Sequence, residues 1–160
     1  MIEFKTGDLL DANTEALINA VNTVGVMGKG IALEFKKRFP KNYLIYQQAC
    51  SKGELRIGKL LVTDTESISN PRFIINFPTK KHWKEKSGIE YIELGLRDLV
   101  TVLDKKHIQS IAIPALGCGL GGLNWQDVRP LILKALEPMK DIHVMIFEPL
   151  EMSSHPKKER

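Results

Sequence analysis

The chain lacks the features that define several protein classes. Its only two cysteines, Cys50 and Cys118, lie far apart and form no CxxC pair, which favours a reduced, cytoplasmic protein over a disulfide-stabilised one. With four scattered histidines they argue against a zinc site, so we expect no metal. No apolar run approaches the roughly 20 residues of a membrane-spanning helix. The first ten residues lack the pattern of a signal peptide, so we expect neither secretion nor a membrane partner.

Internal repeats and low-complexity tracts are also absent, and 160 residues favour one domain with one core. The net charge of +4 is mildly basic, which favours polyanions such as nucleic acids and equally suits a nucleotide. Basic residues cluster in KKRFPK (36–41) and KKHWKEK (80–86). On charge alone, each cluster fits a solvated helix end equally well.

Apolar runs of strand length alternate with segments of helical periodicity. ALINAVN (16–22) and SIAIPAL (110–116) predict buried strands, whereas residues 89–106 carry one apolar stripe at helical spacing. Ser87 and Glu90 have capping-box spacing at the start of that helix. The alternation predicts an α/β sandwich with a mixed, mostly parallel central sheet.

Two glycine-rich segments, residues 19–32 and 117–124, each follow a predicted strand and precede a predicted helix. Glycine lets the backbone approach a phosphate, and successive N–H groups at a helix N-terminus bind anions. Ligands of such sheets bind beyond the carboxyl ends of the strands, so both loops can lie on one rim. We expect them to hold a diphosphate from two sides, and the alternative is a pair of ordinary tight turns.

The familiar phosphate-binding motifs fit poorly. A Walker loop, GxxxxGK followed by Ser or Thr, would require glycine at Thr23 and a hydroxyl at Gly30. Residues 117–122 match GxGxxG, but only 12 residues follow Glu148, too few for the remaining strands of a dinucleotide-binding fold. A P-loop NTPase and a Rossmann-type dehydrogenase are therefore disfavoured.

Four motifs resemble, in order and spacing, those of the macrodomain family, an ADP-ribose-binding module: GDLL (7–10), NAVN (19–22), GVMGKGIA (25–32) and IPALGCGLGGLNW (113–125). The resemblance covers about residues 1–149 and implies a three-layer α/β/α sandwich that needs no cofactor. Residues 150–160 would then be a polar tail or a truncated linker. Residues 76–99 resemble the DarG antitoxin group, and are similar to the human terminal ADP-ribose protein glycohydrolase. This implies removal of ADP-ribose from DNA bases, thymidine above all.

The resemblance implies a catalytic lysine at Lys80, with Lys81 as the alternative. Only a neutral amine is a nucleophile. The cations Lys81, Lys84 and Lys86, with desolvation, would lower the pKa of Lys80, whereas a bound diphosphate would raise it. The human enzyme has a catalytic aspartate after GCGL, where this chain has Gly121. That difference favours the DarG-like interpretation.

The resemblance also implies that Asp8 binds the adenine amine, Asn22 the distal ribose and Phe147 the adenine ring. From the residues alone, Asp8 fits an Asx turn better and Phe147 fits the core about equally. His82 could protonate a leaving base, and Trp83 could stack on a single-stranded base. The other residues expected to bind ADP-ribose are Leu9, Gly28, Lys29, Gly30, Ile31, Thr79, Gly117, Cys118, Gly119, Leu120 and Gly121.

Two further functions stay open, a non-catalytic ADP-ribose reader and a hydrolase of ADP-ribose on protein carboxylates. The basic segment and Trp83 favour DNA. The expected partners are therefore ADP-ribosylated single-stranded DNA, ADP-ribose and a DarT-like toxin.

Overall fold

The computed structural model describes residues 1–149, so the predicted tail lies outside the described residues. Within them, one six-stranded sheet is flanked by four helices. The strands are β1 (Ile2–Lys5), β2 (Ala16–Asn22), β3 (Leu61–Asp64), β4 (Phe73–Lys80), β5 (Ser110–Ile113) and β6 (His143–Phe147). The helices are α1 (Gly30–Arg38), α2 (Pro40–Ser51), α3 (Ile89–Lys105) and α4 (Trp125–Leu136).

The strands lie in the order β1-β6-β5-β2-β4-β3, and every neighbouring pair is parallel except β3 with β4. The mixed, mostly parallel sheet predicted from the sequence is therefore confirmed. The two central strands are β5 and β2. Across the sheet, the chain continues from β2 towards β4 on one side and from β5 towards β6 on the other. A crevice opens at such a switch point, beyond the carboxyl ends of the strands, and ligands bind there.

Successive side chains of the strands face opposite layers, as the period of a β-strand requires. On β2, Ile18 packs in the core formed with α3 and α4, whereas Leu17 packs against Phe35 of α1. The apolar stripe predicted on α3 is buried in the first of these cores. Helices therefore cover both faces, which confirms the three-layer α/β/α sandwich.

Pro40 lies at the junction of two helices. Helix α1 ends at Arg38, two residues before this proline. Pro40 is also the first residue of α2. Proline is tolerated there because the first N–H groups of a helix have no intrahelical partner.

The capping box predicted from Ser87 and Glu90 is wrong. The N-cap of α3 is Gly88, and no side chain bonds to the helix end. The cause is that the backbone N–H of Ser87 donates to the carbonyl oxygen of Gly121 at 2.9 Å. This bond holds Ser87 against the second glycine-rich loop and away from the start of the helix.

Candidate functional site

A cavity of about 790 Å³ lies beyond the carboxyl ends of the parallel strands. Its wall includes the last residues of β2 and β4, Pro114 after β5 and Pro149 after β6. The cavity therefore occupies the switch point of the sheet. The residues predicted for the site that line it are Asn22, Gly28, Lys29, Gly30, Ile31, Thr79, Lys80, Trp83, Gly117, Cys118, Gly119, Leu120 and Gly121.

The two glycine-rich loops meet across this cavity, as the sequence predicted. We call residues 25–31 and 117–121 together the glycine cradle. A Cβ atom on Gly30 would lie 3.3 Å from Cδ1 of Leu120, so one loop touches the other. Gly30 has φ +59° and Gly119 has φ +66°, conformations that L side chains rarely adopt.

The glycine cradle presents backbone donors to the cavity. Helix α1 begins without a side-chain cap, and the N–H groups of Gly30, Ile31 and Ala32 find no acceptor within residues 1–149. The N–H groups of Gly119 and Leu120 are likewise without an acceptor in that part of the chain. Free N–H groups and the positive end of a helix dipole together bind anions.

The charge of the cavity wall has one sign. The lining includes the two cations Lys29 and Lys80 and, within the described residues, no carboxylate. In those residues no three His, Cys, Asp or Glu side chains group as metal ligands. The wall is therefore suited to a phosphate-bearing ligand.

Asn22 ends β2, is only 6% exposed and holds the first loop in place. Its Nδ2 donates to the carbonyl oxygen of Val26 at 2.8 Å, and its Oδ1 accepts from the backbone N–H of Val24 at 3.1 Å. The buried hydroxyl of Tyr46 donates to the same Oδ1 at 2.8 Å. The second Nδ2 hydrogen has no acceptor within residues 1–149 and is available to a ligand.

Lys80 reaches the cavity because β4 is irregular at its end. The register of β4 with β2 shifts there, with Val21 opposite Pro78 and Asn22 opposite Lys80, so Thr79 is an extra residue. A bulge of this kind re-aims side chains. As a result, both Thr79 and Lys80 line the cavity, and the Cα atom of Lys80 is the register partner of that of Asn22.

The two adjacent lysines have different positions relative to the cavity. Lys80 lines the cavity, whereas Lys81 is exposed and its ammonium lies 5.8 Å from the ring centre of Tyr91 on α3. Burial lowers the pKa of the Lys80 amine. The neighbouring cations, which the sequence analysis also expected to lower that pKa, are not among its causes, and Lys84 lies over the Trp83 ring at 5.0 Å.

Trp83 and His82 form a ring pair whose members have different positions relative to the cavity. Trp83 lines the mouth and is 47% exposed, although it is large and apolar. His82 does not line the cavity, and its ring lies 5.2 Å from that of Trp83. Nδ1 of His82 accepts a hydrogen bond from the backbone N–H of Lys84 at 3.1 Å, so this ring nitrogen is already bonded within the turn that contains His82.

Cys118 lines the cavity without being a reactive thiol. Burial, with the nearby Asp127 carboxylate, raises the pKa of Cys118 to about 11. The thiolate is the nucleophilic form, so a raised pKa disfavours attack near neutral pH.

Asp8, Leu9 and Phe147 lie outside the lining of the cavity. Asp8 is exposed, and its carboxylate accepts from the backbone N–H of Leu10 at 3.0 Å, which is the Asx turn favoured by the residues alone. Leu9 and Phe147 are buried in one core cluster, 3% and 8% exposed. The contacts of Asp8 and Phe147 with adenine, and of Leu9 with ADP-ribose, stay predictions.

Several residues of the wall were missed in the sequence, among them Val26, Ser87 and Pro114. Pro114 lies inside the strand predicted over residues 110–116, but β5 ends at Ile113, so the rule that ligands lie beyond strand ends finds it once the strand end is known. Ser87 carried no such signal, because its spacing to Glu90 indicated a helix cap.

Fold and cavity together define an α/β/α domain with a cavity at the switch point of its sheet, whose wall contains backbone donors and a lysine. The family model described as Macro domain matches residues 18–132. The chain belongs to the macrodomain family.

The relatives include proteins named DNA ADP-ribosyl glycohydrolase and structures of DarG macrodomains. The one from Thermus aquaticus is 50% identical over 151 residues, 94% of this chain and 42% of that protein. The macrodomain of Mycobacterium tuberculosis DarG has a TM-score of 0.92 and 50% identity, covering 93% of this chain and 98% of that one. Thermosipho africanus DarTG in complex with ADP-ribose has a TM-score of 0.87 and 41% identity, covering 99% of this chain and 43% of that one. The chain thus spans about two fifths of the curated relatives it matches.

Proposed function

We propose that the chain is the catalytic macrodomain of a DNA ADP-ribosyl glycohydrolase, which releases ADP-ribose from a nucleobase, thymidine above all. The observation that carries the proposal is the position of Lys80. Its amine has a lowered pKa and lies in the wall of a cavity that also contains two converging glycine loops. Relatives with half of their matched residues identical are named for this activity.

The cavity supports binding of ADP-ribose. The uncapped N-terminus of α1 and the Gly119–Leu120 turn would donate to the diphosphate, and Lys29 adds positive charge. The remaining Nδ2 hydrogen of Asn22 would donate to a hydroxyl of the distal ribose. The related Thermosipho africanus structure contains ADP-ribose, which agrees with this proposal.

Lys80 then acts as the nucleophile in a substitution at the anomeric carbon of the distal ribose. A bond forms between the neutral Nζ and that carbon while the bond to the base nitrogen breaks, and the leaving base takes a proton from water. Water next hydrolyses the lysyl adduct, releasing ADP-ribose and restoring the amine. Because an amine supplies the nucleophile, the mechanism needs no metal and no cofactor.

The DNA next to the modified base would lie at the mouth of the cavity. Trp83 offers an exposed ring to an unstacked base, and Lys84 over that ring suits a phosphate. Stacking on Trp83 requires an unpaired base, so the substrate is single-stranded DNA. By analogy with the DarTG relative, the partner that modifies this DNA is a DarT-like toxin, and both act in the cytoplasm.

The test compares wild type, Lys80→Ala and Lys81→Ala on one ADP-ribosylated oligonucleotide and on protein ADP-ribosylated on carboxylates. We expect Lys80→Ala to lose turnover on DNA by more than about 10³-fold. Lys81→Ala is the matched control, because its amine faces Tyr91, and it should stay within about threefold of wild type.

Calorimetry with free ADP-ribose separates catalysis from binding. Lys80→Ala should still bind, since the glycine cradle is intact. Equal turnover by wild type and Lys80→Ala would remove Lys80 from the mechanism. Binding without turnover by the wild type on both substrates would make the protein a reader, and turnover on protein alone would make it a carboxylate hydrolase.

A further inference from the structure

The hydroxyl of Ser87 has no structural explanation in the free protein. Ser87 is 8% exposed, and its Oγ is buried without a hydrogen-bond partner in residues 1–149. Burying a hydroxyl without a partner costs free energy, so such groups are rare and need an account. The usual local account, capping of the following helix, does not apply because Gly88 holds the N-cap position of α3.

The surroundings of Ser87 place it at the second glycine loop. Its backbone N–H bonds to Gly121, and a Cβ atom on Gly121 would lie only 2.4 Å from the Ser87 Oγ. A Cβ atom on Gly117 would lie 3.1 Å from the Ser87 Cβ. Glycine at both positions therefore makes room for the serine, which lines the cavity.

Ser87 belongs to the segment that carries Lys80 and Trp83. All three line the cavity, and they come from residues 79–87, which we call the lysine segment. The proposed function places this segment over the distal ribose, on the side of the scissile bond. The ligand atoms that could accept a hydrogen bond from an unpaired hydroxyl at this place are the hydroxyl and ring oxygens of the distal ribose.

We infer that Ser87 is a substrate-binding residue whose Oγ donates a hydrogen bond to an oxygen of the distal ribose. This inference rests on the proposed function for the identity of the ligand. The hydroxyl is screened from water in the free protein, so the Gly119–Gly122 turn shifts when the ligand enters. Gly119 and Gly122 have positive φ and no side chain, which permits that shift.

The inference predicts that Ser87→Ala stabilises the free protein but weakens the binding of ADP-ribose. Removing an unpaired buried hydroxyl should raise the Tm of the free protein by about 2–4 °C. Losing the bond to the sugar should weaken ADP-ribose binding by about tenfold. ADP lacks the distal ribose, so its affinity should not change.

The experiment measures the Tm by calorimetry and the Kd values of ADP-ribose and ADP by titration, for wild type, Ser87→Ala and Ser69→Ala. Ser69 is exposed and distant from the cavity, so its variant should match wild type in all three measurements. An ADP-ribose affinity unchanged in Ser87→Ala would overturn the inference. A lower Tm with equal losses for both ligands would also overturn it, by making Ser87 a packing residue.

The outcome is independent of catalysis. Both ligands are free nucleotides, so a failure of Lys80→Ala to lose turnover would overturn the proposed mechanism and leave the Ser87 result intact. Conversely, if Lys80→Ala loses turnover as expected but Ser87→Ala binds ADP-ribose as tightly as wild type, only the inference about Ser87 would be overturned.

Discussion

The two walls of the cavity use different parts of the polypeptide. The glycine cradle offers backbone N–H groups, one cation (Lys29) and otherwise apolar or thiol side chains, whereas the lysine segment offers an amine, an indole and a hydroxyl. Backbone donors fixed by loops and a helix start can hold a ligand but carry out no bond-making. Side chains at the end of a strand can do so. Under the proposed function, binding and chemistry belong to separate walls, so substitutions should separate them.

After the loss expected in Lys80→Ala, the largest expected effect concerns the chemical wall and comes from pH. In the proposed mechanism the neutral form of Lys80 attacks, so kcat/KM on modified DNA should rise about tenfold per pH unit until the amine is deprotonated. Because burial lowers the pKa of Lys80, the plateau should begin at lower pH than for an unperturbed lysine. Across two pH units below the plateau, the change is about a hundredfold.

The pH profile has a direct control. Lys81→Ala should give the same curve as wild type, because the Lys81 amine lies against Tyr91. A kcat/KM that does not fall at any pH down to the acid limit of the folded protein would contradict a neutral amine nucleophile.

The next largest effect concerns the binding wall. In Gly30→Val, a side chain at φ +59° strains the backbone and presses on Leu120, so ADP-ribose affinity should fall by about 30-fold. Gly53→Val is the control, because Gly53 also has positive φ (+70°) but has open space around it and does not line the cavity. Titration should show normal affinity for the control, and equal losses in both variants would mean that general destabilisation is responsible.

Trp83→Ala tests whether the lysine segment contacts the DNA. Losing one base stack should raise KM for a modified oligonucleotide by about tenfold. The affinity for free ADP-ribose should not change. Leu44→Ala, which removes an exposed apolar side chain on α2, is the control. A parallel loss of ADP-ribose affinity in Trp83→Ala would place the indole on the nucleotide instead of on the DNA.

The smallest expected effect comes from behind the glycine cradle. Tyr46→Phe removes the hydroxyl that bonds to Asn22 Oδ1, so Asn22 is held less firmly and ADP-ribose affinity should fall by about threefold. Tyr43→Phe removes a hydroxyl that bonds to Gln47 on the surface and should leave affinity unchanged. A larger effect in Tyr43→Phe than in Tyr46→Phe would contradict the role given to Asn22.

The sequence predicted the fold well because its signals are local. ALINAVN reads as a buried strand, the stripe on α3 has a clear period, and the glycine loops lie between a strand and a helix. The sequence also predicted that those loops converge, because ligands of such sheets bind beyond the carboxyl ends of the strands and both loops follow a strand. The sequence also favoured Lys80 over Lys81 through family resemblance.

The remaining features depend on contacts between distant segments. The orientation of Lys80 comes from a bulge against β2, which no property of residues 79–81 reveals. Ser87 was misread as a cap because its partner, Gly121, lies 34 residues away in the chain. The interpretation of the pKa of Lys80 erred similarly, since adjacent cations in sequence point in other directions in the fold.

The most direct test of the account is to trap the lysyl intermediate. Wild-type protein would be mixed with ADP-ribosylated oligonucleotide and a hydride donor that reduces the imine formed when the sugar ring of the lysyl adduct opens. The modified peptide would be located by mass spectrometry. The account predicts one ADP-ribose adduct, on Lys80, that is absent from Lys80→Ala. Normal release of ADP-ribose with no adduct, or with the adduct on Lys81 or Lys29, would contradict it.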